Sequence, residues 1–112
     1  MAHAFGLSTY RFGNEDGKLI VEWSVDETTP GQQESGIGLA TATNGHTPGE
    51  YEGEYDVEAW RGKEKITRKL TIAKVHNAYQ LTWAHPDEPT VYGYGFVSGD
   101  MLVVGFGKYG EA

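Results

Sequence analysis

Lys18-Leu19-Ile20-Val21-Glu22-Trp23 is followed, after a polar gap, by Gly36-Ile37-Gly38-Leu39-Ala40. The same order returns later as Ala78-Tyr79-Gln80-Leu81-Thr82-Trp83, followed by Gly93-Tyr94-Gly95-Phe96-Val97. Each half thus carries an apolar strand ending in Trp, a loop, and a strand containing Gly-x-Gly. Repetition of this kind predicts a closed, pseudo-symmetric β structure. The expectation is a single β-barrel domain over 1–112, with repeat halves at about 4–60 and 64–108. The repeat speaks for an architecture and names no reaction.

Working outward, alternation with period two dominates and no segment has a 3.6-residue apolar period. Eight strands are predicted, at about 4–12, 18–25, 34–42, 50–60, 64–75, 78–84, 90–97 and 100–108. Turn signals separate them at Asn14-Glu15-Asp16-Gly17, Asn44-Gly45, Arg61-Gly62 and Ser98-Gly99. Eight sequential, hairpin-linked strands predict an all-β, antiparallel, up-and-down barrel with an internal pseudo-twofold repeat, because closure removes both sheet edges.

The fourth strand has the clearest faces. Glu50, Glu52, Glu54, Asp56 and Glu58 lie on one side, and Tyr51, Gly53, Tyr55, Val57 and Ala59 on the other. The acidic side must be wet, since five unpaired buried carboxylates would be prohibitively costly. A two-residue turn at Arg61-Gly62 would pair Glu58 with Lys65 and Glu54 with Lys69. It would turn Ile66, Arg68, Leu70 and Ile72 inward beside Tyr55 and Val57. The repeat instead aligns Tyr10 and Phe12 with Ala73 and Val75. A β-bulge near Ala73-Lys74 would reconcile the two readings; otherwise one face of Leu70 and Ile72 is exposed and an oligomer interface follows.

Composition narrows the function classes. The chain has 112 residues, seven tyrosines, three tryptophans, four phenylalanines and sixteen glycines, enough aromatic and apolar side chains for one core. The formal charge is −7 and no basic patch is visible, which argues against nucleic-acid or anionic-membrane partners. There is no cysteine, which excludes disulfides and thiol chemistry. The start, Met1-Ala2-His3-Ala4-Phe5-Gly6, has neither a basic n-region nor an apolar run, so the expected location is cytoplasmic.

Each candidate site residue has two readings. Trp23 and Trp83 either wall a ligand pocket or fill the core, and Gly36/Gly38 and Gly93/Gly95 make room for either. Tyr79, Tyr10 and Tyr55 share their inward parity. Arg68, expected beside Tyr55, meets an anionic ligand, an internal salt bridge or solvent at the rim. His46, His76 and His85 fall in turns and His3 in the terminal segment, without metal-ligand spacing. No hydroxyl sits in a G-x-S-x-G context, and Asp26-Glu27 and Asp87-Glu88 read as solvated loops. No catalytic residue, metal ligand or cofactor is assigned.

With these segments in place, the chain resembles the calycin superfamily, and within it the avidin-like barrels. It also resembles bacterial proteins built around the segments Gly53-Glu54-Tyr55, Leu81-Thr82-Trp83 and Gly93-Tyr94-Gly95-Phe96. The lipocalin G-x-W motif appears only as Gly53-Glu54-Tyr55, on the fourth strand. No residue-by-residue match to the avidin biotin site is present, so biotin binding does not carry over. The leading expectation is non-catalytic binding of a small apolar or aromatic, partly anionic, molecule at Trp23, Trp83, Tyr79, Tyr10, Tyr55 and Arg68. The alternatives are a filled structural barrel whose outer face forms a homo-oligomer, in the simplest case a homo-dimer, and a cyclase or isomerase working at the barrel mouth.

Overall fold

Hairpin follows hairpin along the chain because each apolar run alternates with polar residues and ends in a turn-forming segment. A computed structural model describes residues 5–15, 17–26, 33–44, 50–61, 63–85 and 88–108. The strands are β1 (Phe5–Phe12), β2 (Lys18–Asp26), β3 (Gln33–Asn44), β4 (Gly53–Arg61), β5 (Glu64–Val75), β6 (Ala78–His85), β7 (Glu88–Ser98) and β8 (Met101–Lys108). Every strand pairs antiparallel with the next, and β8 returns to β1, so the sheet closes in up-and-down order. The lower end is defined here as the one where β1 starts and β8 finishes. The upper end is where β1 turns into β2. Among the described residues no helix is long and apolar enough to cross a membrane.

The inward positions form one core of Tyr10, Leu19, Val21, Ala40, Tyr55, Val57, Leu70, Ile72, Leu81, Leu102 and Val104, joined by Tyr51 and Tyr79. Tyr51 lies outside β4 yet is buried at the upper end. Its ring stacks on Phe12 at 4.4 Å between centroids and meets Tyr79 edge-on at 6.0 Å. Its carbonyl accepts from the Tyr55 hydroxyl at 2.8 Å, and its own hydroxyl reaches the Asp100 carbonyl at 3.4 Å. The upper end is thereby plugged by aromatic side chains.

Three details of register differ from the sequence expectation. Arg61 pairs with Glu64, so the β4–β5 turn lies at residues 62–63 rather than Arg61-Gly62. Lys69 therefore bonds Asp56 instead of Glu54, while Lys65 still reaches Glu58 diagonally at 2.7 Å. A shift of two leaves every side chain on its own face, which is why the faces were foreseen although the partners were not. Similarly, Ser98 pairs with Met101, placing that turn at Gly99-Asp100.

No bulge occurs at Ala73-Lys74: β5 pairs continuously with β6 from Lys69–Ala84 to Val75–Ala78. Leu70 and Ile72 point inward and are buried, so the contingent exposure of those residues does not arise. The irregularities fall instead at Ala42/Asn44 and Trp83/His85. The two Trp/Gly-x-Gly copies also differ in pairing. Trp23 faces Gly36, whereas Trp83 faces Val91 and Gly93 faces Leu81.

The glycines of both copies serve close approach. A Cβ on Gly36 would overlap the Trp60 carbonyl oxygen and lie 2.7 Å from the Trp23 ring. One on Gly93 would lie 2.8 Å from the Trp83 ring. The space over these two glycines is thus occupied by the indoles themselves.

Candidate functional site

Antiparallel order decides which inward residues meet. Trp23 lies near the finish of β2, Trp83 near the finish of β6, Phe106 near the finish of β8 and Arg68 near the start of β5. All four positions belong to the lower end. Tyr79, the second residue of β6, belongs to the upper end with Tyr51, and Tyr10 and Tyr55 lie in the packed middle. The six expected ligand residues therefore do not all converge on one place: Trp23, Trp83 and Arg68 share an end, Tyr10 reaches it through its hydroxyl, and Tyr55 and Tyr79 lie away from it.

Both indoles are half-buried and pack against the core from below. Trp83 also contacts Phe106, with ring centroids 5.4 Å apart. Phe106 in turn covers Gly6, where any Cβ would run into its ring. The two indole N–H groups differ in their partners. Trp83 engages the Tyr10 hydroxyl, which also receives the Ser8 hydroxyl at 3.2 Å. An indole nitrogen can only donate, so the phenolic oxygen acts as its acceptor. Trp23 Nε1 is buried and has no hydrogen-bond partner among the described residues. Leaving a buried donor unpaired costs about 1–3 kcal/mol, so an acceptor that reached this group would stabilise the protein.

Arg68 stands across from Val57, one inward step below the Tyr55–Leu70 pair, and not beside Tyr55 as expected. It is half-exposed, and its guanidinium donates to the Thr67 carbonyl at 2.7 Å. Among the described residues β6 pairs with β5 from Lys69 upward, and His85, the last residue of β6, pairs with Glu88 of β7. A cleft of about 400 Å³ lies there, lined by Val57, Arg68 and His85 and by outward side chains of β4 and β5, Asp56, Glu58 and Lys69 among them, so it faces the outer wall and neither tryptophan lines it. The sequence pointed to Arg68 by parity. Its height near the finish of β6 depended on strand lengths and had no sequence signal.

Of the histidines, His76 is exposed in the β5–β6 turn with φ 56° and His85 is half-buried at the end of β6. His3, His46, Glu27 and Asp87 lie outside the described residues. Among the described residues no group of three His, Asp or Glu side chains is placed to hold a metal ion.

Burial pushes the Tyr10 phenol far above its ordinary value, against weaker opposite pulls from Ser8 and Trp83. Tyr51 is also raised, first by burial and then by the Asp100 carboxylate and Tyr79. A phenol that keeps its proton in the fold but loses it when unfolded stabilises the protein fully below the ordinary value of 10.0 and progressively less above it. Stability is therefore expected to hold from neutral pH to about 10 and to fall beyond. Urea midpoints at about pH 8 and about pH 11 check this. Tyr10→Phe should flatten the alkaline loss, and an unchanged pH slope in that variant would place its cause elsewhere.

The fold is an eight-stranded antiparallel β-barrel, an architecture consistent with the calycin kind. No family model, no curated protein and no solved structure matches the chain.

Proposed function

We propose that the lower end of the barrel binds, without chemical change, a small apolar or aromatic molecule carrying an acceptor group, best when that group is anionic. The observation that carries this reading is the buried Trp23 Nε1, without an acceptor among the described residues, on the end that also holds Trp83, Phe106 and Arg68. Aromatic walls supply broad apolar affinity and one cation supplies orientation. Binding at a barrel end is in keeping with an avidin-like or calycin-like architecture, although that likeness supplies no ligand. The binding reading stands ahead of a cyclase or isomerase because Ser8 and Tyr10, the buried hydroxyls near this end, are committed to each other and to Trp83.

A panel of aromatic carboxylates, each paired with its neutral methyl ester, tests the reading by thermal shift and Trp emission. A ligand at 100 times its dissociation constant adds about 2.7 kcal/mol of stability. Trp23→Phe keeps a ring and removes the N–H, and should weaken the best carboxylate roughly tenfold, as one hydrogen bond is worth. Arg68→Ala should weaken the carboxylate and spare its ester. If no compound shifts the melt or the emission, the barrel is a structural body filled by its own side chains.

A further inference from the structure

The outer wall of the barrel is divided by charge. On β4 and β5 the outward positions carry Glu54, Asp56, Glu58, Lys65 and Lys69. Beyond β5 the wall changes character. The outward positions from Gln80 to Ala84 on β6, Tyr92 to Ser98 on β7 and Met101 to Gly105 on β8, with Leu7 and Thr9 on β1, hold no charged side chain. These stretches of four adjacent strands are thus neutral in a chain with formal charge −7, and Arg11, the next outward residue of β1, bounds them beside Glu22.

The same wall is apolar and exposed. Leu7 is 64% exposed, Tyr94 59%, Phe96 59% and Tyr92 49%. They flank Gly105, where a Cβ would find nothing within 4 Å. A shallow groove runs over Gly105, between Leu7 on β1 and Tyr92 and Tyr94 on β7. A contiguous apolar patch of this kind signals an interaction surface.

We propose that this wall is the interface of a two-fold homodimer. A second copy is the occupant that the charge distribution favours: two molecules of −7 repel through any carboxylate-bearing face, and the outward positions just named carry no carboxylate. The relief suits a two-fold pairing too. Such an interface must be self-complementary, and the wall carries projecting aromatic rings and a receiving groove side by side. Its size sets the strength. The named stretches, three to seven residues long on four strands about 4.8 Å apart, make a footprint of roughly 300 Å². That is well below the about 800 Å² per partner of a standard specific interface, so the dimer is weak and reversible.

Sedimentation velocity across a concentration series up to about 0.1 mM, a range chosen for a micromolar constant, tests the proposal. The expected result is a concentration-dependent rise from the 12.3 kDa monomer to twice that mass. Gly105→Glu puts a charge into the groove where its Cβ meets no atom of its own chain. It should remain monomeric throughout, with an unchanged circular dichroism spectrum. Thr67→Lys, across from Glu58 on the charged wall, should dimerise like the parent. A parent that stays monomeric overturns the proposal, as does a dimer that Gly105→Glu leaves intact.

Discussion

Tyr10→Ala is expected to remove roughly 3–5 kcal/mol of stability, the range for truncating a large buried aromatic side chain. Tyr10 is among the largest fully buried side chains and lies on β1, whose pairing with β8 closes the barrel. Removing the ring opens the core against Val21 and Leu102, its neighbours on either side. It also takes away the acceptor shared by Ser8 and Trp83, leaving donors unpaired in the interior. A typical domain has about 5–15 kcal/mol in all, so the variant should stand close to unfolding at room temperature. Urea unfolding followed by Trp emission measures the loss. A midpoint near the parent's would mean that the interior collapses around the gap, and that the core does not depend on this ring.

Gly95→Ala should be nearly as damaging for the opposite reason. The added Cβ would overlap the Val103 carbonyl oxygen and lie 2.8 Å from the Val104 Cα. Both atoms are backbone, so neither can rotate away, and β8 would have to shift relative to β7. Overpacking costs about 1–3 kcal/mol where side chains can yield; here the upper part of that range or beyond is expected. Gly105→Ala, in the neighbouring strand, meets nothing within 4 Å and should change stability by less than about 0.5 kcal/mol. Comparing melting temperatures of the two variants isolates close strand approach from any general effect of losing glycine. Similar losses in both would refute the steric explanation.

Period-two alternation was enough to read the eight strands, their order and most inward residues, because a strand's faces follow from sequence parity alone. The row from Glu50 to Glu58 shows why: with Tyr51, Tyr55 and Val57 buried, the carboxylates have only water to face. Parity also survived the two-residue error at the β4–β5 turn, which exchanged Glu54 for Asp56 as the partner of Lys69. The bulge inferred at Ala73-Lys74 failed because it rested on aligning the two halves. The real irregularities, at Ala42/Asn44 and Trp83/His85, answer to sheet closure, which no local pattern records.

For the candidate site, parity told that Trp23, Trp83, Tyr79, Tyr10, Tyr55 and Arg68 point inward, but parity says nothing of height along the barrel. Height depends on which end each strand starts from and on the stagger that closure imposes. Those two quantities separate Tyr79 from the tryptophans and set Arg68 level with the finish of β6. Side-chain alternation thus determined the fold class and the inner face, since both follow from the chemistry of neighbouring residues. The unpartnered Trp23 indole and the neutral outer wall were decided only by tertiary structure, because each is a relation among strands brought together by closing the sheet.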